Sequence, residues 1–242
     1  MKPLQAIRTQ GRQPADTTAD LGLATFSLPC SDYQHLTFGP MHYEPGYAYP
    51  LIVWLHGPGD DERQLMRMMP IVSMRNYVAV APQGVPIKKN TETAGYGWPL
   101  TSDGDDAAAE RVFAAIEATR LKYNFSRKRI FLAGFDQGGT MAFRLAAAHP
   151  DHFAGVISLG GHFPKGPTPL AGLARLRGLP VLIASGRAST IYTTDQVCDD
   201  LRLLHTAGLS ITLREYPCAQ EIAPQMLQDV DRWIIEQVAG VR

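Results

Sequence analysis

The part of the chain best equipped for chemistry is an aspartate at the apex of a glycine-bounded turn. Residues Ile130 to Thr140 read Ile-Phe-Leu-Ala-Gly-Phe-Asp-Gln-Gly-Gly-Thr, the outline of an apolar strand, a sharp Gly134-x-Asp136-x-Gly138 turn and a helix start near Gln137. The positive end of such a helix favours the ionised carboxylate. A carboxylate can displace a halide or open an epoxide at an alkyl carbon, but the ester it forms must then be hydrolysed by a base-activated water. His162, which follows Gly160-Gly161 at the end of another apolar run, could supply that base or could be a plain loop residue. The same negative charge opposes any reaction that builds charge on a carbonyl oxygen.

Alternating elements must position these groups. Strand-like runs cover Leu51 to Leu55, Tyr77 to Ala81, Arg129 to Ala133, Val156 to Leu159, Val181 to Ala184 and Ile211 to Arg214. Their mostly continuous apolar character suits a central parallel sheet covered on both faces. Between them, Ala109, Val112, Phe113 and Ile116 share one helical face, as do Val197, Leu201 and Leu204 in a helix that Gly208 stops. Met226, Leu227, Val230, Trp233 and Ile234 form the face that docks the last helix. The pattern predicts an α/β fold with a mostly parallel central sheet and helices on both faces.

Composition narrows the function classes. With 242 residues, 45% hydrophobic and 19% charged, the chain can bury the core of one domain, expected over residues 21–242, behind a polar extension over residues 1–20 that lacks a signal-peptide pattern. Lys+Arg and Asp+Glu number 23 each, so no net field attracts nucleic acid or an anionic membrane. No apolar run is long enough to span a bilayer. Three cysteines, Cys30, Cys198 and Cys218, cannot all pair and match no zinc spacing, which fits a reducing, cytoplasmic setting with packing roles for each. Cys218 alone lies close enough to Gln220 to face a cleft. No cofactor is expected.

Several motifs then agree in order with one family. The Pro50 to Leu55 run ends in His56-Gly57-Pro58-Gly59-Asp60, Gly95-Tyr96-Gly97-Trp98 follows, then the Asp136 turn, Ser185-Gly186-Arg187-Ala188-Ser189-Thr190, and Tyr216-Pro217-Cys218-Ala219-Gln220-Glu221. In this order the chain resembles, over roughly residues 22 to 240, the phospholipase/carboxylesterase branch of the α/β-hydrolases, which includes acyl-protein thioesterase-like enzymes. The resemblance makes the Asp136 turn a nucleophile elbow, G-x-S-x-G, with aspartate in place of serine. It puts Ser189, or Ala188 with a one-residue shift, at the acid position and Gln220 at the histidine position. It also puts Pro58 and Gln137 at the two backbone donors of the oxyanion hole, and Pro58 has no N–H to give.

Serine attacks a carbonyl only when an imidazole, oriented by a buried acid, takes its proton. Gln220 cannot do this near neutral pH. The resemblance therefore implies a non-catalytic relative that keeps its cleft for a small-molecule or acyl-type ligand or a partner. Two enzymatic alternatives stand beside it. Asp136 could be the nucleophile, as the aspartate is in the related haloalkane dehalogenases and epoxide hydrolases, or a relocated serine, Ser185 or Ser189, could restore esterase chemistry. Trp98 reads as a cleft aromatic or as core, His56 as a cleft group or as a brace for its loop, and Asp60-Asp61-Glu62 as a solvated acidic turn.

Overall fold

The computed structural model describes residues 23–26, 33–87, 95–165 and 173–240. The expected extension over residues 1–20, and Cys30, lie outside these residues. Strands β1 (Leu23–Phe26), β2 (His35–Phe38), β3 (Tyr49–Leu55), β4 (Val78–Pro82), β7 (Phe125–Phe135), β8 (Gly155–Leu159), β9 (Pro180–Gly186) and β10 (Ser210–Tyr216) build one sheet. Its order is β1-β2-β4-β3-β7-β8-β9-β10, and β5 (Val85–Ile87) with β6 (Gly95–Gly97) forms a separate hairpin ladder. From β4 to β10 every pairing is parallel, whereas β1 and β2 run antiparallel at one edge. That edge and the small hairpin have no counterpart in the sequence reading.

Buried positions on both faces explain the continuous apolar runs. In β3, Leu51, Val53 and Leu55 enter one core with Val80, Leu132 and Ile183, and Ile52 and Trp54 enter the other with Ala79, Phe131 and Leu182. Helices α2 (Ser102–Arg120), α3 (Gln137–Ala148) and α4 (Thr194–Thr206) cover the first face through Val112, Ile116, Met141, Phe143, Val197 and Leu204. Helices α1 (Gln64–Val72) and α5 (Pro224–Gly240) cover the second through Leu65, Met69, Leu227, Val230, Trp233 and Ile234. Each face predicted for a helix is therefore the buried one, and Gly208, with φ of 81°, sits just past α4. A bidentate pair between Arg144 of α3 and Asp105 of α2 ties these helices where both side chains are largely buried.

The acidic run before α1 is not a solvated turn. The Asp61 carboxylate accepts the Arg63 N–H at 2.9 Å at the start of the helix. Asp60 binds Gln64 and Arg67. Glu62 is buried and satisfied by amide donors from Gln34 at 3.0 Å and Gln83 at 2.9 Å. All three carboxylates thus fasten the loop that follows β3, the loop carrying Pro58. No group of three or more potential metal ligands occurs among the described residues.

Candidate functional site

The parallel strands end on one edge of the sheet, and the loops leaving β3, β7, β8, β9 and β10 converge there. Asp136 stands between β7 and α3 with φ 52° and ψ −118°, a conformation that L-residues rarely adopt. The surroundings hold it. Its N–H donates to Leu159 O at 2.9 Å, and its carbonyl accepts the Thr140 N–H at 3.0 Å. A Cβ on Gly134 would collide with Gly138, and one on Gly138 would lie 2.6 Å from His56 O, so the flanking glycines are required by close backbone approach. This is the geometry of a nucleophile elbow with a carboxylate at its tip. Asp136 is half-buried, and its carboxylate has no hydrogen bond or ion pair among the described residues.

Gln137 is the first residue of α3, so its N–H has no acceptor within the helix and points out of the helix start. The β3 loop comes up against the same turn, as the contact between Gly138 and the Leu55 and His56 carbonyls requires. Pro58 lies exposed on that loop between Gly57 and Gly59. One donor is therefore available beside the carboxylate, and the proline contributes none.

The positions read as acid and base form a closed chain of hydrogen bonds. Ser189 is buried, and its hydroxyl donates to Gln220 Oε1 at 2.7 Å while accepting the N–H of Tyr192 at 3.0 Å. Gln220 Nε2 donates to Gly160 O at 2.8 Å. The carbonyl can only accept, so the amide is oriented unambiguously, with its oxygen towards the serine. Ala188 is exposed and uses its N–H on Cys218 O at 3.0 Å, so Ser189 is the residue brought against Gln220. Gly160 has φ 65°, and a Cβ there would lie 2.9 Å from Gln220 Nε2. Gly160, the first of the two glycines that lead to His162, is thus the acceptor that holds the glutamine, a role with no signature in the sequence beyond the glycines themselves.

Two of the cleft candidates are buried beneath the loop. His56 is fully buried; its Nδ1 bonds Gly57 O at 2.8 Å and its Nε2 accepts the Gly84 N–H at 3.0 Å, which fixes a neutral ring. Trp98 is 1% exposed, sits in the core and donates its indole N–H to His56 O at 2.9 Å. Both brace the Pro58 loop from beneath. Cys218 is partly buried and packs against the α1/α5 core. His162 remains half-exposed next to the elbow: a Cβ on Gly161 would strike Asp136 O, and Thr140 Oγ1 donates to His162 O at 2.9 Å. The His162 Nδ1 bonds Phe163 O at 3.0 Å, and the following turn is pinned by Asp200, buried in α4, which accepts from Phe163 N and from Tyr192 Oη.

Burial holds the His56 imidazole below its ordinary pKa of 6.5, and His35 is lowered for the same reason. The unfolded chain then takes up protons first as pH falls, so stability present at neutral pH is lost below the unfolded value. Urea unfolding is expected to show a loss approaching about 1.4 kcal/mol per pH unit for each such group between about pH 6.5 and its folded-state pKa. His56→Gln should flatten that slope. Equal slopes in the variant and the natural chain would contradict a buried neutral His56.

These observations define an α/β-hydrolase, with a mostly parallel sheet, helices on both faces and an elbow above the strand ends. The phospholipase/carboxylesterase family matches residues 45–237, and the chain belongs to it. A curated relative, "Putative esterase NocK" of Nocardia uniformis subsp. tsuyamanensis, is 28% identical over 167 residues, covering 64% of this chain and 46% of its own length. This chain thus spans less than half of NocK. Among solved structures, a carboxylesterase from Mesorhizobium loti superposes with a TM-score of 0.71 at 19% identity, covering 87% of this chain and 98% of that one. SOBER1 of Arabidopsis thaliana superposes with a TM-score of 0.66 at 19% identity, covering 79% and 100%. No helix among the described residues is long and apolar enough to cross a membrane.

Proposed function

We propose that this member of the family binds an acyl-type small molecule at the Asp136 cleft without hydrolysing it. The observation that carries the reading is the commitment of Gln220: both ends of its amide are used, on Ser189 and on Gly160, and neither end can shuttle a proton. No general base is available from the usual position, and an ionised Asp136 would repel a developing oxyanion.

What remains is a carboxylate that accepts beside an N–H of Gln137 that donates. An acceptor and a donor side by side match a carboxamide, whose N–H would meet Asp136 and whose oxygen would meet the Gln137 N–H. Titration with hexanamide, followed by calorimetry, is expected to give saturable binding that Asp136→Ala weakens about tenfold, about 1.4 kcal/mol. Absence of saturable binding, or unchanged binding in the variant, would remove this ligand class.

The strained elbow and the unpaired carboxylate favour one rival, in which Asp136 attacks an alkyl carbon. The carboxylate oxygen would form an ester bond as the halide departs with the bonding pair, or as one epoxide C–O bond breaks and the alkoxide so formed takes a proton from water. Intact-mass analysis after exposure to alkyl halides and epoxides separates the two readings. An unmodified chain is expected, and an adduct on Asp136 would replace binding by nucleophilic chemistry.

A further inference from the structure

At the end of the sheet opposite Asp136, the first residues of β3, the turn before β4 and the last turns of α5 line an open cavity of about 470 Å³. That volume is in the range of about 300–1,000 Å³ that takes small molecules. One wall is aromatic: the Tyr47 and Tyr49 rings meet edge to face at 4.6 Å, and the buried Tyr49 is held by its hydroxyl, which accepts the Glu44 N–H at 3.2 Å. Ile235 and Val238 of α5 form the apolar side. Tyr47 and Ile235 are 47% exposed each and are two of the seven large hydrophobic side chains left exposed among the described residues, yet both line this one cavity. Exposed apolar surface gathered in a concavity marks a binding site more than a scattered surface does.

Two opposite charges share the lining. The Glu44 carboxylate and the Arg75 guanidinium each lack an ion pair or a side-chain hydrogen bond among the described residues. We infer that this cavity is a binding site for a small aromatic zwitterion, a free aromatic α-amino acid being the simplest case. The ring packs between Tyr47 and the Ile235–Val238 side, the carboxylate takes the guanidinium fork of Arg75, and the ammonium takes Glu44. A ligand with only one of the two charges leaves the other side chain unmatched and is rejected relative to the zwitterion. The site is independent of the reading of Asp136, from which the sheet separates it.

Titration of the full chain with L-tryptophan, followed by amide NMR shifts, tests this directly. Saturable shifts are expected around Tyr47, Arg75 and Ile235, with Arg75→Gln and Glu44→Gln each weakening binding about tenfold. Both residues are exposed, so these variants should fold as the natural chain does, which their spectra check. Indole-3-propionate and tryptamine, each one charge short of tryptophan, should bind about tenfold more weakly than tryptophan itself. Absence of saturable shifts up to about 10 mM, unchanged affinity in either variant, or equal affinity for a one-charge probe would each overturn the proposal.

Discussion

The triple variant Asp136→Ser, Ser189→Asp, Gln220→His is expected to hydrolyse p-nitrophenyl acetate only weakly, and adding Pro58→Leu should raise kcat about a hundredfold, near 3 kcal/mol of barrier. The expectation follows from what each position contributes. Gln220 already reaches Ser189 at 2.7 Å, so a histidine there would find its orienting acid when Ser189 becomes aspartate. The elbow already holds its apex residue at φ 52° above α3, so a serine hydroxyl would stand where the carboxylate stands now. With Pro58 and Gln137 at the oxyanion positions, as proposed, the hole is the part left incomplete, because Gln137 supplies one N–H and Pro58 none. An oxyanion donor acts on the transition state, so the fourth change should appear in kcat and leave KM nearly unchanged. Asp136→Ser alone should give no measurable esterase, since its hydroxyl would lack an imidazole. A triple variant as fast as the quadruple one would show that Pro58 does not occupy the oxyanion position.

Trp98→Ala should be the most destabilising single change beneath the site, by about 3–5 kcal/mol in urea unfolding. Trp98 is 1% exposed, lies 5.1 Å from the His56 ring and donates to His56 O at 2.9 Å, so its removal empties a large volume and leaves a buried carbonyl unpaired. Trp98→Phe keeps most of the volume and loses the hydrogen bond, and about 1–3 kcal/mol is expected. A Trp98→Ala cost below that of Trp98→Phe would mean that the indole is a cleft residue after all.

The parts of the fold legible in the sequence are those whose period or chemistry is local. The continuous apolar runs of β3, β4, β7, β8 and β9 announce strands buried on both faces, and the glycines around Asp136 announce a turn that needs close backbone approach. Helix α1 escaped because Pro70 lies inside it and methionines blur its face. Strands β1 and β2 are four residues each; β2 gains its place from pairing with β4, a non-local partner, and β1 from pairing with β2. At the site, one residue of register separates Ser189 from Ala188, and only the hydrogen bond to Gln220 distinguishes them. Glu62 looked solvated because its two amide partners, Gln34 and Gln83, lie 28 and 21 residues away in the chain. Trp98 and His56 carried both readings in sequence, and their burial beneath the Pro58 loop selects the bracing one.

Gln220, at the usual position of the general base behind the Asp136 elbow, is committed to Ser189 and Gly160 and cannot serve there. The most direct test of the non-catalytic reading is steady-state release of p-nitrophenol from p-nitrophenyl butyrate by the natural chain and by Asp136→Ala, each measured against buffer. Both are expected to run at the buffer rate. Turnover above that rate in the natural chain, abolished in Asp136→Ala, would contradict it.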